Sequence, residues 1–310
     1  MPQKLSIIFI ALFVAVDVWL VSEAVQHVNA EPPGSDVPLA PVTSTPSSPS
    51  GTEKTVPTGP PAPTGTTPPS GSVAAERSDV LLAIASDGTI LRARTGDCRG
   101  EPGRVRVSTD GGESFTTAYN DVPQVLRVVA LSRADLWFVE ANDKCNPAIR
   151  RSGDTGGSWA RTARSLGAWH LSPRVDNTNV HAPSGAVDAG CVAVAIAPVA
   201  PTIAYIGCDD GTTRRTIYGG QIWTDVSTVD GLVGLTFANE NTGFALATAD
   251  CGAAVLTTVD AGQSWGETAC LKAKKPKAIA ANPDLSRIVV QAGGTLRFSQ
   301  DGGITWQRAA

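Results

Sequence analysis

From Asp79 onward, short apolar runs alternate with clusters of Gly, Asn, Asp, Ser and Thr. Runs of four to eight residues bounded by such clusters predict strands and turns rather than helices. One stretch shows the unit most clearly. Leu232–Phe237 reads as a strand, Asn239–Thr242 as a turn, Gly243–Thr248 as a second strand and Ala249–Gly252 as a second turn. Ala253–Thr258 is the third strand, and Ser264–Ala269 is the fourth. The same order is expected from Val80 to Tyr119, from Val125 to about Arg164, from Cys191 to Val226 and from Lys277 to Ala309. In the last unit the expected strands are Ala278–Ala281, Arg287–Ala292, Thr295–Ser299 and Thr305–Arg308.

The turn between the third and fourth strands carries a recurring phrase, Ser/Thr-x-Asp-x-Gly-x-Ser/Thr-Trp/Phe. It stands at Ser108–Phe115, Ser152–Trp159, Thr258–Trp265 and Ser299–Trp306. A worn copy at Thr216–Trp223 keeps Thr216, Gly220 and Trp223 but has Tyr218 for the Asp and Ile222 for the hydroxyl residue. The starts lie 44, 64, 42 and 41 residues apart. A four-stranded unit repeated at this period is a propeller blade. The phrase suits its turn. The Asp accepts hydrogen bonds from backbone N–H groups, the glycines allow positive φ, and the aromatic ring pins the turn into the sheet stack. Five units predict an all-β propeller of four-stranded antiparallel blades with five blades. The 64-residue step places about 20 extra residues between Leu166 and Gly190, read as an insertion before the third blade.

The residues Ser108, Asp110, Gly112 and Phe115, with Ser152, Asp154, Gly156 and Trp159, resemble the Asp-box of the bacterial neuraminidase repeat (BNR) families. Thr258, Asp260, Gly262 and Trp265, with Ser299, Asp301, Gly303 and Trp306, complete four full boxes over residues 79–310. The box occurs in sialidases, sortilin-type receptors, other carbohydrate-active propellers and photosystem II assembly-factor-like proteins. The resemblance therefore implies a fold and leaves three functions open: a diverged exo-alpha-sialidase-like glycoside hydrolase, a binding module, or an assembly factor.

The N-terminal part has a different pattern. Leu5–Val21 is almost wholly apolar, interrupted by Asp17, and predicts one apolar helix. As a signal-anchor it reaches the lower limit of a membrane span. As a cleaved signal peptide it would end at Val28-Asn29-Ala30, with secretion after Ala30. Both readings of residues 1–30 put the rest outside the cytoplasm; the anchor places it at the cell surface. Residues 31–76 hold 12 of the 22 prolines, with Ser, Thr and Gly. This composition cannot bury a core and predicts a disordered tether reaching about 35–40 Å.

Charge and cysteines then narrow the partners. Residues 77–310 carry 23 Lys+Arg and 23 Asp+Glu, a balance that argues against nucleic acid. Six Cys behind an export signal favour disulfides over metal. All six fall on the face opposite the phrase turns. Six Cys allow 15 pairings, and topology favours Cys191–Cys208 and Cys251–Cys270, leaving Cys98–Cys145 between adjacent blades. No metal and no cofactor are expected.

Candidate ligand-binding residues lie on that cysteine face. Arg94, Arg99 and Arg104 flank the loop that holds Cys98, and the insertion carries Trp169, His170, Arg174 and His181. Arginine forks suit carboxylates and phosphates. Arg106, Arg150, Arg214 and Arg297, each two residues before a phrase, are expected to pair with a neighbouring blade. Against the sialidase reading, Arg104-Val105-Arg106-Val107 stands where that family has an Arg-Ile-Pro-like motif. No Glu lies clearly beside any of the three Tyr. No catalytic residues are therefore assigned. The expected role is non-catalytic binding or scaffolding for a protein or glycan partner, with membrane contact through the N-terminal helix.

Overall fold

The computed structural model describes residues 77–162, 168–174 and 178–309. The apolar segment, its expected helix and the Pro-rich tether lie outside the described residues. Among the described residues there is no helix long and apolar enough to cross a membrane.

Six sheets follow one another along the chain. Blade one is β1 (Val80–Ile84), β2 (Ile90–Arg94), β3 (Gly103–Ser108) and β4 (Thr116–Val122). Blade two is β5 (Gln124–Ser132), β6 (Asp135–Ala141), β7 (Pro147–Ser152) and β8 (Ala160–Thr162). Blade three has three strands, β9 (His170–Leu171), β10 (Asn179–Ala182) and β11 (Gly185–Asp188). Blade four is β12 (Ala193–Pro198), β13 (Ala204–Cys208), β14 (Thr212–Thr216) and β15 (Thr224–Thr228). Blade five is β16 (Leu232–Phe237), β17 (Gly243–Ala249), β18 (Gly252–Thr258) and β19 (Gly266–Leu271). Blade six is β20 (Pro276–Ala281), β21 (Ile288–Ala292), β22 (Thr295–Ser299) and β23 (Gln307–Arg308). Each sheet is an antiparallel meander, and its first strand faces the axis.

The ring thus has six blades, not the five expected. The expected insertion before Gly190 is itself the missing blade. Its strands pair as blade strands do, with His181 opposite His170 and Val180 opposite Leu171. Val180, Ala182 and Leu171 enter a core with Ala193, Ala204 and Ile206 of blade four. It escaped the periodic pattern because among the described residues it has no fourth strand, and its sequence carries no phrase turn.

The phrase turns lock neighbouring blades. In blade two, Ser152 Oγ donates to Asp154 Oδ1 at 2.7 Å and accepts from Gly156 N at 2.8 Å. Asp154 Oδ1 accepts from Ser158 N at 2.9 Å, and Ser158 Oγ donates to Oδ2 at 2.7 Å. Trp159 then packs edge-on to Phe138 at 4.9 Å, and its Nε1 donates to Ala118 O of blade one at 3.0 Å. Gly156 has φ 85°, and a Cβ there would come within 2.8 Å of Ala118. Glycine thus serves both the left-handed turn and its seating on the previous blade. The worn turn keeps only the hydroxyl half: Thr216 Oγ1 accepts from Tyr218 N at 3.2 Å and from Gly220 N at 3.0 Å. It rests on Val187 and Trp169 of blade three and leaves Ile217, Tyr218 and Ile222 exposed.

Closure of the ring repeats these contacts. Ile84 and Ile90 of blade one pack with Ala280, Val289 and Leu296 of blade six, and Phe115 and Phe298 pack against this cluster. Lys277 Nζ lies 2.7 Å from Asp79 Oδ1 across the same junction. The three disulfides are Cys98–Cys145, Cys191–Cys208 and Cys251–Cys270, as topology favours, and they suggest an oxidising environment.

Candidate functional site

The six inner strands enclose an axial channel of about 870 Å³. Their backbones alternate, so one set of side chains packs between blades and the other reaches the axis. The wall is mainly aliphatic, with Leu82, Val129, Val194, Ile196 and Val233, and Phe237 is its only aromatic residue among the described residues. The mouth on the disulfide face is polar. Arg77, Asp79, Asp97, Arg99, Arg174 and Lys277 stand there.

These charges are tied to different degrees. Arg77 reaches across to blades three and four, donating from Nη1 to Ser172 O at 2.5 Å and from Nη2 to Ala193 O at 3.0 Å. Burial lowers its pKa to about 10. Lys277 holds Asp79 below the usual carboxylate range, chiefly through their hydrogen bond, so Asp79 stays ionised at neutral pH. Asp97 Oδ1 accepts from Arg99 N at 2.8 Å, which fixes the loop. Arg127 also lines the channel and donates from Nη1 to Trp169 O at 2.9 Å. Its guanidinium lies 5.2 Å from the centre of the Trp137 ring. Burial pushes its pKa down to about 10, and no carboxylate pairs with it among the described residues. Arg99 and Arg174 are exposed at the rim. The mouth therefore carries more positive than negative charge, above an apolar shaft.

The seven residues singled out from sequence divide between rim, sheet and blade edge. Arg99 and Arg174 meet at the mouth. Trp169 is buried, its Nε1 donating to Ala200 O at 3.1 Å and its ring edge-on to Trp223 at 6.0 Å. His170 is buried and donates from Nδ1 to Ala168 O at 2.9 Å; its Nε2 is buried without a partner among the described residues. His181 stacks on it, with ring centres 4.5 Å apart and planes 9° apart. Arg94 and Arg104 lie opposite one another in blade one. Sequence reasoning missed Arg77, Arg127 and Lys277. Residues at or just before the start of an inner strand are placed at the mouth, as Arg77 before β1 and Lys277 at the start of β20 are, and that rule would have found two of the three.

The arginines two residues before each phrase meet expectation in part. Arg150 pairs within its own blade with Glu140 at 3.0 Å, a carboxylate shared with Arg161 at 3.1 Å. Arg214 pairs with Asp225 of its own sheet at 2.6 Å and reaches blade three through Ala189 O at 2.6 Å. Arg106 and Arg297 instead face Arg92 and Arg308. The ion pairs stay within one sheet, yet Arg150 also lies over the Tyr119 ring of blade one at 5.1 Å and Arg214 bonds Ala189 O of blade three, so two of the four reach a neighbouring blade.

The stacked histidines give the fold an acid-sensitive point. Burial, more than the nearby His181 and Arg127 charges, lowers the His170 pKa from 6.5 to about 4. A group with a lower pKa in the fold than in the unfolded chain gives stability that is complete above pH 6.5. That stability is lost as pH falls toward 4, by about 3 kcal/mol. A second loss follows below pH 3.8, where Asp154, Asp260 and Asp301 are held down to about 2, first by hydroxyl hydrogen bonds from Ser158, Ser264 and Thr305. Thermal melts from pH 7 to 3 are expected to show both steps, and His170→Gln to shrink the upper one, to which His181, also lowered by burial, contributes. A midpoint that stays flat down to pH 4 in the wild type would contradict the burial of His170.

The closed ring, its antiparallel meanders and the axial channel define a six-bladed β-propeller. No protein-family profile and no curated protein sequence matches the chain. Among solved structures it is similar to YCF48 bound to D1 peptide, at 15% identity and TM-score 0.42, over 70% of this chain and 75% of that one. It is also similar to YCF48 from Cyanidioschyzon merolae, at 17% identity and TM-score 0.32, over 76% of this chain and 74% of that one. The GH74 enzyme of Niastella koreensis matches at 16% identity and TM-score 0.32, over 74% of this chain and 38% of that one. No residue role is carried over from these structures.

Proposed function

We propose that the protein is an extracytoplasmic, membrane-tethered Asp-box propeller. Its channel mouth binds an acidic segment of a protein partner without chemical turnover. The observation that carries this reading is the mouth itself: Arg99 and Arg174 exposed at the rim, with Arg77 and Arg127 fixed beneath them, over an aliphatic shaft. Such a site suits a peptide carboxylate followed by apolar side chains. A sugar would meet few of the aromatic platforms it stacks on, since Phe237 is the only one in the wall among the described residues. The channel carboxylates also lend themselves poorly to catalysis. Asp79 is held ionised by Lys277 and has no proton to give at neutral pH, whereas a glycosidase needs one carboxyl group protonated.

The test uses the full-length chain and a panel of synthetic peptides that end in a carboxylate behind an apolar stretch. Binding should weaken with salt, and Arg99→Glu with Arg174→Glu should reduce affinity about tenfold or more. Both side chains are exposed, so the variant should melt like the wild type. Hydrolysis of fluorogenic sialosides or of a glycan panel by the wild type, abolished in Asp79→Asn or Asp97→Asn, would overturn the reading.

A further inference from the structure

Blade one carries a square of arginines that the channel does not use. The register of β2 and β3 sets Arg92 opposite Arg106 and Arg94 opposite Arg104. Directly opposed residues of an antiparallel pair share a face, about 5 Å apart, and alternate residues along a strand are about 7 Å apart. All four side chains therefore project from one patch about 5 by 7 Å at its base. Ile90, two residues before Arg92 on the same face, packs against Ala280, Val289 and Leu296. The square thus looks toward blade six, over the outer part of the junction.

Like charges placed directly opposite are unfavourable, and little here offsets them. Arg94 pairs with Glu101 at 2.7 Å, with both side chains largely exposed. Arg92 lies over the Phe115 ring at 5.8 Å. Among the described residues, neither Arg104 nor Arg106 has an ion-pair partner. Blades two and four solve the same problem differently. Arg150 and Arg161 share the nearly buried Glu140, and Arg214 faces Asp225 directly across the ladder. At the matching fourth-strand position of blade one stands Thr117, opposite Arg106. The acid that answers this arginine in blades two and four is missing here, as it is for Arg297 opposite Arg308 in blade six, and blade one is where the arginines are most crowded.

We propose that the Arg92, Arg94, Arg104 and Arg106 square is a binding site for tetrahedral oxyanion esters, taken as the sulfate or phosphate groups of a polysaccharide. Planar guanidinium forks bind such groups through two parallel hydrogen bonds. A doubly charged or closely repeated anion answers several arginines at once, which a single carboxylate does not. The 7 Å length of the patch exceeds one oxyanion and suits charged groups repeated along a polymer. Arg94 and Arg104 at the exposed end leave it open for a chain to enter. None of the four arginines lines the channel, although Arg94 lies close enough to Asp79 at the mouth for its charge to be felt there.

The experiment titrates the full-length chain with a sulfated hexasaccharide, with inorganic sulfate and with polyglutamate, at two salt concentrations. The hexasaccharide should bind, more weakly as salt rises. Arg104→Gln with Arg106→Gln should lose about tenfold or more in affinity, while Arg99→Glu with Arg174→Glu keeps it. Without ligand the Arg104→Gln, Arg106→Gln variant should be at least as stable as the wild type, because opposed like charges are relieved; a merely structural pair would lose stability. Four results overturn the proposal: no hexasaccharide binding, equal binding by this variant, an equal affinity for polyglutamate, or an affinity for inorganic sulfate that matches the polymer.

Discussion

Replacing Trp159 by alanine is expected to destabilise the propeller by about 3 kcal/mol, lowering the thermal midpoint by about 6–12 °C. The ring sits where two blades meet. It packs edge-on against Phe138 at 4.9 Å and Tyr119 at 6.4 Å, and its Nε1 donates to carbonyls on both sides of the junction, Ala118 O and Gly156 O. Alanine would leave a cavity beside Phe138 and unpair the Ala118 carbonyl. Trp159→Phe separates these effects, because it keeps most of the packing and loses the N–H donor, at about 1 kcal/mol. Melting curves of the two variants provide the check. Equal losses would mean that the hydrogen bond, and not the ring, holds the junction.

Removing the Cys98–Cys145 bridge should cost the most of the three disulfides. It closes a separation of 47 residues, against 17 for Cys191–Cys208 and 19 for Cys251–Cys270. Loop-closure entropy assigns about 4 kcal/mol to the first and about 3 kcal/mol to each of the others. The long bridge also differs in kind. It joins the β2–β3 loop of blade one to the β6–β7 loop of blade two, whereas the other two staple strands that already neighbour in one sheet. Paired Cys→Ala variants, melted without reductant, should rank in that order. If the Cys98→Ala, Cys145→Ala protein melted at or above the other two, the link between blades would add nothing beyond the sheet contacts.

Much of this architecture is written in short-range signals. The Asp, the glycines and the aromatic residue of each phrase act within one turn, so their spacing reveals blade strands, loop faces and the side on which the cysteines gather. Blade three was invisible for the converse reason. His170–Leu171, Asn179–Ala182 and Gly185–Asp188 are too short for a visible alternation, and no phrase marks their turn. They form a blade because blades two and four supply the faces they pack on. The site was legible in part. Arg99 and Arg174 follow from loop placement. The burial of His170 and Trp169, and the confrontation of Arg92 with Arg106, depend on register and packing between sheets, which no local pattern encodes.

The junction between blade six and blade one bears on how the ring is assembled. Each blade is a meander whose contacts lie close in sequence, and most junctions join consecutive blades. The cluster of Ile84 and Ile90 with Ala280, Val289 and Leu296 instead joins the two ends of the folded chain. Its loop-closure cost is the largest in the molecule, and contacts of that separation slow folding most. Among the described residues no strand crosses the gap to guide it. Blades can therefore form and stack in chain order as an open arc, with the final side-chain closure as the slow step. Until that step the aliphatic wall of the future channel is open to water along one side, which makes the arc the state most exposed to aggregation.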